Sequence, residues 1–157
     1  MRKLLLVAVM SGLLFACATP KTVQASKKVI KGDWVLNSIT YSETGNFNVT
    51  LLSDASKDCF EGSYWSFTPN NNTGNYTIEN GGCEVGDRNF IFTIQEVDAS
   101  TGYYDFLLKP TNEKKKSDTN HGFRMQLASL GETNMQWRQH LTVEGKPFTI
   151  YMNFSKN

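Results

Sequence analysis

The side chains that could carry acid–base, nucleophilic or metal chemistry are few and scattered in this chain. Its two histidines are His121 and His140, and no Gly-x-Ser-x-Gly or His-Glu-x-x-His motif accompanies them. Asp54, Asp58 and Glu61 form a small acidic group, but their spacing differs from that of an EF-hand calcium loop. We therefore expect neither an enzyme nor a metal site or cofactor, and we interpret these acids as solvated loop residues.

Cys17 carries a clearer chemical signal because of what precedes it. Arg2 and Lys3 lead into an apolar run of 13 residues, from Leu4 to Ala16, which is short for a bilayer span and typical of a signal peptide. The run ends in Leu-Phe-Ala-Cys, which is similar to a bacterial lipobox. This pattern predicts removal of residues 1–16 and attachment of diacylglycerol to Cys17, and two or three acyl chains anchor a protein stably. The alternative is an ordinary secretory signal followed by a chance cysteine.

Cys59 and Cys83 remain as a pair once Cys17 is lipidated. An even number of cysteines in an exported protein favours a disulfide. The Cys59–Cys83 bond would close a loop of about 25 residues and contribute about 3 kcal/mol of stability. Zinc is disfavoured, because the chain has no Cys-x-x-Cys motif and no histidine close in sequence to either cysteine.

The charge of the chain is nearly balanced. It has 16 Lys and Arg against 15 Asp and Glu, and without residues 1–16 the balance is 14 against 15. No basic patch indicates nucleic-acid binding, and we interpret the charged run at 113–118 as a solvated loop tip rather than a lipid contact. The remaining 141 residues suit one domain, with a polar, flexible tether over 17–28 and the folded part over 29–157.

From residue 32 onward, apolar and polar residues alternate with period two between clusters of turn residues. This pattern predicts eight short strands and no long helix, with Asp54 capping a short helical turn in the first connection. The strands are predicted over residues 32–41, 63–68, 75–79, 88–96, 103–109, 121–129, 134–143 and 147–154.

The alternation predicts a sheet with one buried face. Phe90, Phe92 and Ile94 share one face of their strand, whereas Arg124 and Gln126 occupy the polar face of theirs. A membrane-spanning barrel also alternates, with its apolar face toward lipid. The short strands and the lack of an aromatic girdle favour an all-β barrel or sandwich with the apolar side chains inside.

The tripeptide Gly32-Asp33-Trp34 opens the first strand, and seven more strands follow it. It resembles the Gly-x-Trp signature of the lipocalins, and together with the lipobox and tether it is similar to small lipocalin-like lipoproteins of bacterial envelopes. The resemblance covers residues 28–156 and implies an eight-stranded up-and-down antiparallel barrel. The second lipocalin motif, Thr-Asp-x-Tyr, is absent, since the corresponding turn reads Ser-Leu-Gly-Glu-Thr.

The resemblance also implies roles at the closed end of the barrel. Gly32 would let the chain turn in tightly, and Trp34 would pack across the base beneath a basic residue. The last strand ends where the first begins, so Lys156 is the candidate for that cover, ahead of Arg138 in the middle of its strand.

An up-and-down topology places alternate connections at the same end, and both Cys59 and Cys83 then fall at the end away from Trp34. We expect the mouth of the barrel at that disulfide end. A small apolar ligand would bind against inward-facing residues of the middle and upper barrel. These tentative ligand-binding residues are Trp65, Phe92, Phe106, Met125, Trp137 and Ile150, and a packed core made of the same side chains is the alternative.

These observations predict a lipid-anchored, lipocalin-like protein of the bacterial cell envelope that binds a small hydrophobic or amphipathic ligand. The outer membrane is favoured over the inner one, because Ala18 after Cys17 provides no acidic retention signal. The alternative is a barrel scaffold whose disulfide-end loops bind a protein, as an inhibitor or an envelope assembly factor. No nucleic-acid partner is expected.

Overall fold

Ten strands and two helices make up the part of the chain that the computed structural model describes, residues 21–96 and 104–157. Within these two ranges, no helix has the length and apolar character needed to cross a membrane. The elements are α1 (Lys21–Ile30), β1 (Gly32–Tyr41), β2 (Thr50–Leu51), β3 (Ala55–Ser56), α2 (Lys57–Phe60), β4 (Tyr64–Thr68), β5 (Thr73–Ile78), β6 (Gly86–Glu96), β7 (Tyr104–Thr111), β8 (Phe123–Leu130), β9 (Asn134–Val143) and β10 (Lys146–Lys156).

Eight of these strands close into an antiparallel barrel in the order β1-β10-β9-β8-β7-β6-β5-β4, with β4 pairing back to β1. Strands that follow one another in sequence are neighbours around the barrel, which is the up-and-down topology. The predicted fold is therefore confirmed. Period-two alternation produces it, because residues one apart in a strand point to opposite faces and only the apolar face is buried.

The N-terminal segment corrects one prediction, because α1 occupies residues 21–30, where the sequence suggested a flexible tether. Val23 and Ile30 are buried, at 3 % and 0 % exposed, and Ser26 bonds back to the Thr22 carbonyl. Lys27 Nζ donates to Asn72 Oδ1 over 2.7 Å, which fixes the helix to the β4–β5 turn. The tether is therefore wrong for residues 21–28, whereas residues 1–20, including Cys17, lie outside the described residues.

The closed end of the barrel is built around Trp34, which is fully buried. Its indole Nε1 donates to the Ile30 carbonyl over 2.8 Å, so the end of α1 satisfies the only polar atom of the ring. Lys156 pairs with Trp34 in the β1–β10 ladder, and its Nζ lies 5.1 Å from the indole centroid and donates to the Val29 carbonyl. The predicted positions of Trp34 and Lys156 are confirmed, and Arg138 instead lies over the Tyr151 ring.

Gly32 makes the entry into β1 possible. Its φ of +108° lies in the left-handed region, where a side chain would strain the backbone. This conformation turns the chain sharply from α1 into the barrel wall.

The connection between β1 and β4 folds over the opposite end of the barrel. Leu51, Leu52 and Phe60 are buried in the core, so this connection covers the end of the barrel and does not extend into solvent. Asp54 does not cap a helix, as the sequence suggested, because α2 begins after Ser56 and no side chain caps it. The predicted disulfide is confirmed, since Cys59 and Cys83 are bonded with their Cα atoms 5.8 Å apart.

Candidate functional site

The six residues predicted to line an interior ligand site all face the inside of the barrel. None exposes more than 2 % of its surface, and a void large enough for water would expose more. They are Trp65, Phe92, Phe106, Met125, Trp137 and Ile150. The prediction of their inward orientation is confirmed, but in this conformation they form a packed core and not the walls of a cavity.

Ring-to-ring contacts account for this packing. Trp137 lies 5.3 Å from Trp65 and 4.5 Å from Phe106 between ring centroids, and Phe92 stacks on Phe106 at 5.3 Å. Aromatic pairs at such distances gain energy beyond the area that they bury. The interior is therefore filled by the protein's own side chains, which is one of the two outcomes open to a barrel of eight strands.

A cavity of about 460 Å³ lies instead at the disulfide end, within the β1–β4 connection. Its walls come from the last residue of β1, Tyr41, from residues 45–49 of the connection, and from Ser56, Lys57 and Asp58 beside the disulfide. This volume lies in the range of pockets that hold a small ligand. We call it the mouth cavity.

Tyr41 and Phe47 form the aromatic wall of the mouth cavity, and the buried Phe148 packs against both of them. Tyr41 packs 5.4 Å from Phe47 and 5.3 Å from Phe148, and the two phenylalanines are 4.9 Å apart. Three segments distant in sequence, the end of β1, the connection and the start of β10, supply one ring each. The cavity thus combines a rigid aromatic side with polar groups from the connection.

The Tyr41 hydroxyl has no hydrogen-bond partner among the described residues, although it is buried. Leaving such a group unpaired costs about 1–3 kcal/mol. Burial raises the pKa of Tyr41, and the nearby carboxylates of Glu61 and Asp58 raise it further, so the phenol stays protonated at neutral pH. A ligand atom that pairs with this hydroxyl would recover an interaction that the protein leaves unmade.

Charged groups border the same cavity. Lys57 Nζ lies 5.7 Å from the Tyr41 ring centroid and 3.6 Å from Glu61 Oε1. Glu61 also accepts a hydrogen bond of 2.7 Å from the Ile39 amide, which ties α2 to β1. The site therefore presents one cation held close to an aromatic ring.

A second set of contacts fixes the connection over the barrel. Tyr76, whose ring is inside the barrel, donates its hydroxyl to Asp54 Oδ2 over 2.8 Å. Arg88 Nε donates to the same oxygen over 3.1 Å and pairs with its charge. Burial raises the pKa of Tyr76, and the bond to Asp54 raises it further. We call Asp54, Tyr76 and Arg88 the latch.

Comparison with known proteins identifies the fold family. The lipocalin-like domain family matches residues 30–137, which is more than half of the chain. The chain belongs to this family. A lipocalin-like protein from Bacteroides uniformis is similar in structure, with a TM-score of 0.47 and 10 % sequence identity over 82 % of this chain and 98 % of that one. No curated protein matches the sequence.

Both histidines singled out in the sequence analysis of this lipocalin-like chain have partners among the described residues. His140 bonds through its two ring nitrogens to Thr149 and Gln126 on the outer wall, and His121 packs against Phe123. Among residues 21–96 and 104–157, no three potential metal-binding side chains come together.

The sequence analysis missed Tyr41, Phe47 and Lys57 as parts of the mouth of this lipocalin-like barrel. Phe47 carried the one available signal, since it is a large apolar residue within an otherwise polar connection.

Proposed function

We propose that this lipocalin-like protein binds a small hydrophobic or amphipathic ligand in the mouth cavity, while a lipid on Cys17 anchors it in the bacterial cell envelope. An eight-stranded lipocalin-like barrel is suited to hold one small ligand. Binding, rather than catalysis, is the activity proposed.

The unpaired Tyr41 hydroxyl is the observation that carries the proposal of a ligand at this end. Buried polar groups in native proteins are almost always hydrogen-bonded, and an exception calls for a physical reason. The neighbouring Phe47 ring supplies apolar surface, so the ligand is expected to combine an apolar body with at least one hydrogen-bonding group.

Lipid anchoring is supported by the lipobox-like sequence that ends at Cys17. The four Cα steps from Cys17 to the start of α1 at Lys21 span at most about 14 Å. Because α1 packs at the closed end, an anchor at Cys17 would hold that end near the bilayer and leave the mouth cavity facing away from it.

Mass spectrometry of the N-terminal peptide tests the anchor. Protein from the envelope is expected to begin at Cys17 and to carry the mass of two or three acyl chains. The Cys17→Ser variant is expected to retain residues 1–16 and to lack acyl mass. Recovery of unmodified Cys17 from wild-type envelope protein would rule the anchor out.

Ligand binding is tested first by native mass spectrometry of the protein extracted from its membrane. A co-purifying small molecule is expected with the wild type and is expected to be depleted in Phe47→Ser. Tyr64→Ser is the matched control, because Tyr64 is an exposed aromatic residue, at 45 %, outside the cavity wall. Equal occupancy in the two variants, or an empty wild type, would contradict the proposal.

Protein binding at the disulfide end is the second candidate function. Val85, Leu141 and Val143 are exposed by 58 %, 37 % and 45 % at this end. Leu141 and Val143 are exposed because the β8–β9 ladder ends at Gln126 and Arg138, so the β9–β10 hairpin projects beyond it. Exposed apolar groups of this kind favour a partner surface.

Replacement of Leu141 and Val143 by threonine, together with replacement of residues 112–120, leaves the lining of the mouth cavity intact and so separates the two functions in a pull-down from envelope extract. Loss of a specific partner after replacement, with no small molecule in the wild type, would favour the scaffold. Capture that persists unchanged in the replaced protein would exclude these residues.

A further inference from the structure

A second apolar site lies on the outer wall of the barrel, away from the mouth cavity. It is a groove of about 640 Å³ that crosses β6, β7 and β8 and is bordered by the β4–β5 turn. The residues that define it are Asn71, Ile91, Thr93, Leu107, Lys109 and Arg124. We call it the wall groove.

The strand register explains why these side chains meet. Thr93 pairs with Leu107, and Leu107 pairs with Arg124, so the three form one row across the wall. Ile91 pairs with Lys109 in the adjacent outward-facing row, which places Ile91 diagonal to Leu107. Side chains at such diagonal positions lie within reach of one another.

Ile91 and Leu107 give the wall groove an apolar floor. Both are only partly buried, whereas outward positions on nearby strands carry Ser66, Asn75 and Gln126. Two aliphatic side chains at outward positions are not needed for the core, because Phe106 and Leu108 already fill the inward positions of β7.

The charge of the wall groove is entirely positive among the lining residues that the structure describes. Lys109 Nζ donates to the neutral Asn120 Oδ1 over 2.6 Å, so its charge is not compensated there. Arg124 has a side chain that is 70 % exposed, and its Nη1 lies 3.4 Å from Asp105 Oδ2. This ion pair is made through Nη1, so other guanidinium donors can receive an anion.

We propose that the wall groove binds a single-chain amphiphile with a carboxylate head group, independently of the mouth cavity. The chain would cover Ile91 and Leu107, and the carboxylate would pair with Arg124 and Lys109. A guanidinium matches a carboxylate through two parallel hydrogen bonds, which favours this head group. The volume suits one drug-sized ligand, hence one chain rather than two.

Titration calorimetry with dodecanoate below its critical micelle concentration tests this site. The protein is residues 17–157 with Cys17→Ser, which retains every described residue and needs no detergent. This protein, with no further substitution, should bind dodecanoate saturably. Dodecyltrimethylammonium has the same chain and the opposite charge, and it should bind about tenfold more weakly.

Two variants address the two halves of the proposed ligand. Ile91→Thr combined with Leu107→Thr should weaken dodecanoate binding about tenfold. Threonine suits a β-strand, but it offers less apolar area to the chain of the ligand. Arg124→Gln should weaken dodecanoate binding about fivefold and should not weaken binding of the cationic amphiphile, because a repelling charge is removed. Circular dichroism melting verifies that each variant is folded.

Controls separate the wall groove from the mouth cavity. Val143→Thr makes the same kind of change at an exposed strand position elsewhere, and Tyr41→Phe alters the mouth cavity, so neither should change dodecanoate affinity. No dodecanoate binding, equal binding of the cationic amphiphile, or a loss in Tyr41→Phe as large as that in the wall-groove variants would each overturn the proposal.

Discussion

The closed end and the disulfide end of the barrel are built from the same strands but differ in whether their buried polar groups are hydrogen-bonded. At the closed end, the Trp34 indole nitrogen and the Lys156 ammonium both bond to carbonyls at the end of α1. At the disulfide end, the Tyr41 hydroxyl is buried without a partner beside a cavity of about 460 Å³. The first arrangement pairs its buried polar atoms, whereas the second leaves one of them unpaired.

This difference between the two ends indicates where a ligand is expected to bind in a barrel whose interior is filled by side chains. Since Trp65, Phe106 and Trp137 occupy the centre, a ligand must bind at an end or on the wall unless the core rearranges. The connection that covers the disulfide end is held by its buried residues Leu51, Leu52 and Phe60, by the latch and by Cys59–Cys83.

Removal of the Trp34 side chain is the largest expected perturbation. Trp34→Ala should lower the free energy of unfolding by about 3–5 kcal/mol, because a fully buried indole and its hydrogen bond are lost. Phe47→Ala, at the disulfide end, should cost less than half as much, since Phe47 is only partly buried. Urea denaturation measures both, and equal costs would refute the contrast between the two ends.

Loss of the disulfide is the next largest expected perturbation of stability. Cys59→Ser with Cys83→Ser should lower the free energy of unfolding by about 3 kcal/mol, because the unfolded chain is no longer constrained. Ligand affinity should fall as well, since Ser56, Lys57 and Asp58 of the mouth cavity adjoin Cys59. Denaturation and ligand titration check the two effects, and unchanged affinity would mean that the cavity keeps its shape without the disulfide.

Alkaline pH should act on the latch. The pKa of Tyr76 is raised above its ordinary value of 10.0, so its contribution to stability is complete below about pH 10 and is lost as the pH rises further. The loss should approach about 1.4 kcal/mol per pH unit for this one group. Unfolding measured from pH 9 to 11 should therefore be steeper for the wild type than for Tyr76→Phe, and parallel curves would contradict the assignment.

Tyr41→Phe is the smallest change and the sharpest test of the disulfide end. Removing a buried hydroxyl that has no partner should raise the free energy of unfolding by up to about 1 kcal/mol. The same substitution should weaken binding of the native ligand. Tyr64→Phe, at an exposed position, should change neither quantity, and a destabilised Tyr41→Phe would show that the hydroxyl is already paired.

The strands could be predicted closely because their signal is local. The bounds of β1 and β9 agree with the alternation in the sequence, and the resemblance carried by Gly32 and Trp34 predicts the closed end. In contrast, α1 escaped prediction, since only Val23 and Ile30 provide it with large buried apolar side chains. Its stability comes from packing on the barrel base, which is a tertiary contact.

The sequence by itself determined the eight strands, the inward-facing set of side chains, the disulfide pair and the position of Trp34 with Lys156. Only the tertiary structure decided that Trp65, Phe106 and Trp137 fill the interior and that Tyr41 borders a cavity instead. The physical reason is that the direction of a side chain follows from its place in a strand, whereas the volume left between side chains depends on how residues distant in sequence pack together.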